Sequence, residues 1–442
     1  MTSAHSRPRV LVLTDSDSYV KWGAALAGRV PSAWRVRLVI ARGSAEPSER
    51  QVREALEGTV VRPEDVERVG LEQVREVLRS WRPDVLVAGA RGLTVQALVE
   101  LAVPNRADRP VIVSGLPGIA VPVLPYGLGF RRSVDLFLVH SHRERRAFAD
   151  ASRSLNIPHR YALVTLPFLP TPAPPRATEP ARDRIIFAAQ SLVPESREER
   201  RRLLRQLIAT ALAHPDLEVV VKVRGQVDEH QTHADQHPYP ELLAELRHEG
   251  VPVPDNLVVE SGPMVAHLRR AVGLVTVSST AILEAVAAGV PALALTDFGV
   301  EARQINLVFA DSGLLQSSEE LVAGRFRHPD PQWRQDNYFH SPADDTWIQD
   351  VAELLEQRAT EGLPPYPTAE PTVRHKVAMV FYRHQAFRSE PAGWTGALWH
   401  RVVERAVVAT ALRVSRSSFV VARRFKPART APMGDPADSP TV

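Results

Sequence analysis

Three consecutive hydroxyl residues, Ser278, Ser279 and Thr280, stand where the apolar run Gly273–Val277 passes into a helical pattern, and Glu284 follows one turn later. Hydroxyls and free backbone N–H groups at a strand-to-helix junction can hold a phosphate. A carboxylate on the same helical face can accept hydrogen bonds from vicinal ribose hydroxyls. Gly289 and Pro291 end the helix. Lys222 and Arg224 lie two apart at the end of another run, Glu218–Val223, so they share a face and can meet a diphosphate or nucleotide phosphate together. Plainer uses exist for both groups: a helix cap for the hydroxyls, a solvated strand end for the cations.

A second set follows the first apolar run, Arg9–Leu13. Asp15, Ser16, Asp17 and Ser18 could provide a general base for an attacking hydroxyl, or simply cap a helix, and their types do not separate Asp15 from Asp17. Gly115 and Gly118, in GLPGIAV, would let backbone approach a ligand closely. Arg131 and Arg132 could hold an anion, and His140 with Ser141 ends the run Leu136–Val139. His230, His233, Asp235 and His237 crowd one polar stretch but lack a helical frame such as His-Glu-x-x-His, so they read as a substrate loop, with no metal site. Asp297 opens an Asp-Phe-Gly tripeptide without kinase companions, and the strand before it places it beside the other candidates.

The elements that must position these residues alternate. Short, β-branched-rich runs (9–13, 36–41, 84–88, 110–113, 136–139, then 184–188, 218–223, 257–260, 273–277, 292–295) are separated by amphipathic helical stretches. That predicts parallel sheets covered on both faces. The segment Thr165–Ala181 holds six prolines and reads as a linker. The expectation is therefore α/β, with two doubly wound Rossmann-like domains facing a cleft, plus C-terminal helices. Their spans would be 1–164, a linker 165–181, 182–362, a basic helical segment 363–429 and a disordered tail 430–442.

Composition narrows the chemistry. The 442 residues include no cysteine, which excludes disulfides, thiolate metal sites and cysteine nucleophiles. The net charge is +3, carried by four lysines and 50 arginines against 51 acids. The excess is local: residues 372–430 hold 12 basic and two acidic side chains. One basic terminal segment does not suit a nucleic-acid binder. A basic amphipathic stretch with Trp394 suits an anionic membrane surface or packing across the domains. No apolar run is long enough for a membrane span, and no signal-peptide pattern opens the chain, so a cytoplasmic protein is expected; the membrane reading of the basic segment would make it peripheral on the inner face of the plasma membrane.

The stretch SSTAILEAVAAGVPALAL resembles the donor-nucleotide motif of two-domain GT-B glycosyltransferases. It is most similar to the double-serine motif of bacterial CMP-sialyltransferases and capsule-polymer transferases. TDSDSYVKW, GLPGIAVP, DLFLVHSHRE, VVVKVRG with a following QTH, and SSTAILEA resemble a family of glycosyltransferases of unassigned substrate from GC-rich Gram-positive bacteria, over Thr14–Ala285. Sialyltransferases of this architecture carry His-Pro after the strand that here ends at Lys222 and Arg224; His237–Pro238 comes later, in the polar stretch.

What the resemblance implies is a GT-B transferase, without cofactor or metal. It would move a sugar from a nucleotide-sugar donor to a cell-surface glycan or lipid-linked acceptor by inverting displacement. A CMP-linked nonulosonate is the donor the double serine favours, ahead of UDP or GDP sugars. Lys222, Arg224, Ser278, Ser279, Thr280 and Glu284 would hold the donor; Asp15 or Asp17 would be the base. Ser16, Ser18, Gly115, Gly118, Arg131, His140, His233 and Asp297 would line the acceptor side. The rival expectations are a UDP-sugar 2-epimerase-like enzyme and a nucleotide-sugar-binding protein without turnover.

Overall fold

The computed structural model describes residues 7–157, 159–169, 181–223 and 236–368. All belong to one compact unit. The basic segment beyond 368, Arg224 and the cluster His230, His233 and Asp235 lie outside the described residues.

The first lobe begins β1 (Arg9–Thr14), α1 (Asp17–Ala27), β2 (Arg35–Ala41), α2 (Glu49–Leu56), β3 (Glu67–Val69), α3 (Leu71–Ser80) and β4 (Val85–Gly89). It continues with α4 (Gly92–Ala102), β5 (Val111–Gly115), α5 (Pro125–Gly129), β6 (Leu136–Val139), α6 (His142–Leu155) and β7 (Arg160–Leu163). The second lobe runs β8 (Arg184–Ala188), α7 (Arg197–Ala213), β9 (Glu218–Lys222), α8 (Tyr239–His248), β10 (Leu257–Glu260), α9 (Met264–Leu268) and β11 (Ala271–Thr276). It ends with α10 (Ala281–Ala287), β12 (Ala292–Leu295), β13 (Leu315–Gln316), α11 (Ser318–Val322), α12 (Pro331–Asp336) and α13 (Trp347–Thr360).

Both sheets are parallel, in the orders β3-β2-β1-β4-β5-β6-β7 and β10-β9-β8-β11-β12-β13. Strands such as Val10–Leu13 and Ile185–Ala188 are buried on both faces, which is why they read as unbroken apolar runs. The expected α/β class, two doubly wound Rossmann-like domains, is the observed one. Chain order reverses between β1 and β4 in one sheet and between β8 and β11 in the other. Each reversal opens a crevice at the carboxyl ends of the strands, where such sheets bind ligands.

Three short strands escape the apolar-run criterion. β3 reads Glu-Arg-Val and β7 begins Arg-Tyr, each at a sheet edge where one side meets solvent, and β13 has two residues. The 182–362 span needs a correction at its end. Helix α13 returns to the first lobe, where Trp347, Val351 and Leu354 enter the core with Val111, Val113 and Leu136. Arg358 donates to Asp84 there. Burying three such side chains contributes about 1.5–3 kcal/mol each, so this helix fastens the second lobe's end to the first.

Candidate functional site

A cleft of about 1500 Å³ lies between the lobes. Single-ligand sites fill about 300–1,000 Å³, so this one has room for two reactants. Among the described residues its lining includes six basic side chains (Lys21, Arg29, Arg182, Lys222, Arg269, Arg334) and four acidic ones (Asp17, Glu54, Glu57, Glu284), a balance that suits an anionic ligand.

The second lobe's wall is the turn after β11. Gln190, just past β8, clamps it: its Oε1 accepts from Ser278 N (2.8 Å), and its Nε2 donates to Ser278 Oγ (3.1 Å). Thr276 Oγ1 reaches the Ala188 carbonyl at 2.9 Å and accepts from Ser279 N at 3.2 Å. Ser279 Oγ accepts from Ala281 N. This corrects the expectation of free N–H groups at the junction: those of Ser278, Ser279 and Ala281 already have partners inside the turn. Helix α10 behind it is seven residues long. The hydroxyl residues Ser278, Ser279 and Thr280 line the cleft. Ser278 and Ser279 accept through oxygen, which leaves their protons to donate. Lys222, at the end of β9, lines the same wall.

Glu284 also lines the cleft, but it is engaged. Both its oxygens lie 3.0 Å from Lys21 Nζ, on the first lobe's α1. Lys21 lies on one face of α1 with Asp17, Ala24 and Gly28, all four lining the cleft at helical spacing. Asp17 and Ser18 open that helix at the end of β1, with Ser18 Oγ 3.4 Å from Asp17 Oδ1. Between the two walls runs the loop Leu116–Ile119. A Cβ on Gly118 would stand 2.7 Å from Thr280 Cγ2, so glycine lets this loop rest on the hydroxyl turn.

Several candidates sit elsewhere. Asp15 is 1% exposed and does not line the cleft. Its carboxylate accepts from Arg91 N (3.1 Å), Arg91 Nε (2.9 Å) and Thr94 Oγ1 (2.6 Å), tying the ends of β1 and β4 together. Ser16 is buried as the residue before α1. Gly115 is packed under Trp22, which a Cβ would approach to 2.9 Å. Arg131 is 2% exposed, and its guanidinium donates to Ser114 Oγ, the Gly127 and Ala90 carbonyls and Tyr19 OH. It is an internal brace for the first lobe.

His140 is buried too. Trp22 Nε1 and Leu116 O lie 2.9 Å from its Nε2, and Val164 O lies 3.0 Å from its Nδ1. Burial lowers its pKa to about 4, so the ring is neutral and braces the loop from behind. Asp297 accepts from Ser318 N and Oγ and from Gln206 Nε2, joining β12 to α11 and α7 away from the cleft. His237 does not line the cleft; its carbonyl accepts from Arg200. No group of three potential metal ligands converges among the described residues, and no described helix is long and apolar enough to cross a membrane.

Sequence reasoning passed over Gln190, Lys21 and Glu144. Glu144 is fully buried and accepts from Ala120 N (3.1 Å), His140 N (2.8 Å) and Tyr338 OH (2.7 Å), fixing the loop and a second-lobe tyrosine together. Desolvation raises its carboxyl pKa. It stands inside the HSHRE motif, the only local signal of its importance. Ile305, also in the lining, has φ +58°, a strained conformation for a β-branched residue.

A family model described as "Putative glycosyltransferase (DUF6716)" matches residues 10–354. No curated protein matches the sequence. Solved structures are similar to it at low identity. A "putative UDP-N-acetylglucosamine 2-epimerase" from Listeria monocytogenes is 12% identical over 82% of this chain and 92% of that one, with a TM-score of 0.48. A UDP-glucosyltransferase from Polygonum tinctorium capable of glucosylating indoxyl is 13% identical over 81% and 100%, with a TM-score of 0.47. An Anabaena protein in complex with UDP and glucose is 15% identical over 80% and 98%, with a TM-score of 0.44.

Proposed function

Because the chain belongs to this glycosyltransferase family, matched over more than half its length, we propose that the cleft transfers a sugar from a nucleotide donor to an acceptor hydroxyl. The observation that carries the proposal is the meeting of two unlike walls in one cavity. Asp17 stands on the first-lobe wall, and the hydroxyl turn with Lys222 and Glu284 stands on the second.

The donor's nucleotide takes the second wall. Ser278, Ser279 and Thr280 donate to its phosphate, Lys222 neutralises it, and Glu284 accepts from the ribose hydroxyls. The acceptor enters along α1 and the loop Leu116–Ile119. Asp17 takes the acceptor proton as its oxygen bonds to the anomeric carbon, while the bond from that carbon to the phosphate oxygen breaks and the nucleotide leaves with the electron pair. One displacement inverts the carbon and needs no covalent enzyme intermediate. Holding both reactants between the strand ends and neutralising the departing phosphate together supply the acceleration. The tandem serines favour a CMP-linked nonulosonate over UDP or GDP sugars, and the acceptor class is a cell-surface glycan or lipid-linked sugar.

A thermal-shift panel of CMP, UDP, GDP and their sugars tests the reading. The true donor nucleotide at about 100 times its Kd stabilises the fold by about 2.7 kcal/mol, and Ser279→Ala and Glu284→Ala each diminish that shift. Undiminished shifts in both variants would remove the donor assignment. Flat responses across the whole panel would favour a protein without turnover.

A further inference from the structure

Lys21 reaches from the first lobe into the second. Its Nζ lies 3.0 Å from each oxygen of Glu284 and 4.6 Å from the centre of the Phe168 ring. The Glu284 side chain is only 13% exposed, so its charge is poorly hydrated and the ammonium is its main compensation. A carboxylate that grips a vicinal diol through both oxygens presents the edge that Lys21 Nζ now contacts.

A ribose diol that takes both Glu284 oxygens on that edge therefore competes with Lys21 for them. The displaced ammonium then sits in a cleft whose described lining already carries more basic than acidic side chains. A nucleoside offers it no new anion. A nucleotide does: its phosphate, held at Ser278–Thr280, lies within one helical turn of Glu284 and within the same cavity as Lys21.

We propose that Lys21 is a specificity-determining residue for the donor, exchanging Glu284 for the donor's phosphate so that the site accepts a ribose only when a phosphate arrives with it. The inference rests on the assignment of Glu284 to the ribose. Charge is conserved in the exchange: one ammonium–carboxylate pair opens, and one ammonium–phosphate pair and one carboxylate–diol contact form. The lobes stay joined meanwhile through Arg146–Asp336, Arg143 to the Leu307 and Val308 carbonyls, and Tyr338–Glu144.

Calorimetric titration of the full chain with cytidine, CMP, uridine, UDP, guanosine and GDP tests this, using Lys21→Met, which keeps the stem over Phe168 without the charge. For the pair that binds, Lys21→Met tightens the nucleoside about fivefold and weakens the nucleotide about tenfold, while Lys21→Arg stays near the native ratio. A shift of both ligands in one direction, or of neither, overturns the proposal. Glu284→Gln separates the two layers. If it weakens both ligands while Lys21→Met moves them together, the ribose assignment stands and the exchange falls. If it changes neither, or if no probe binds the native chain, the ribose assignment falls and takes the exchange with it. Unchanged thermal unfolding of Lys21→Met is the control, with Lys21→Gln in reserve should the methionine variant misfold.

Discussion

The junctions β1–α1 and β11–α10 look alike in sequence: an apolar strand runs into a cluster of small polar residues and then a helix. The fold divides both clusters in the same way. At β1–α1, Asp15 and Ser16 are consumed by the lobe, and Asp17 and Ser18 face the cleft. At β11–α10, Thr276 is buried in the lobe, Ser278 is shared with Gln190, and Ser279 and Thr280 face the cleft. The polar groups still in strand register must meet the neighbouring strand ends, Arg91 and Thr94 in one lobe and Gln190 in the other, because buried polar atoms need partners. At these two junctions the cleft is lined by side chains that follow the strand, whereas Lys222 lines it from the end of β9 itself. The two junctions differ in what they present: a carboxylate in one case, hydroxyls in the other, as befits a base and a phosphate site.

The sharpest way to break this comparison is to exchange the roles of the two aspartates. Asp17→Asn is expected to lower transfer by about 10²- to 10⁴-fold without changing the unfolding midpoint, because a surface amide replaces the base. Arg131→Met, in the buried brace, is expected to destabilise the first lobe by about 3 kcal/mol or more in denaturant titration, since Tyr19, Ser114 and two carbonyls lose their donor. Asp15→Asn should cost about 1–3 kcal/mol of stability, with residual transfer tracking the folded fraction. A stable Asp15→Asn variant that had lost transfer would reverse the assignment.

Smaller effects sharpen the picture. The His140 pKa falls from 6.5 to about 4 on folding, so between those values the unfolded chain binds the extra proton. Stability from this residue is complete above about pH 6.5 and declines on acidification toward pH 4, by at most about 1.4 kcal/mol per pH unit. His140→Gln should flatten that part of the stability–pH curve. The weakest expected effect belongs to the basic segment beyond residue 368. Co-sedimentation of the full chain with anionic vesicles should occur at low salt and fade as salt is raised. Salt-independent sedimentation would argue for apolar docking instead.

The alternation of apolar runs and amphipathic helices was legible because parallel strands buried on both faces must be apolar throughout, a local demand visible in residues such as Val10–Leu13. The hydroxyl turn was legible for a similar reason: its position follows from the end of β11. Less legible were the edges, β3 and β7, whose polar residues face water on one side, and α13, whose allegiance to the first lobe is a long-range packing choice.

By itself, the order of residues determined the class of fold and which strand ends would carry polar clusters, since these depend on periodicity and chain direction. Tertiary structure alone decided which member of each cluster is a ligand group and which a brace. It placed Arg91 on Asp15, drew Arg131 and His140 inside, and brought Lys21 to Glu284, 263 residues away. Such choices turn on which buried polar atom finds a partner from a distant segment, and that is settled only when the sheet assembles.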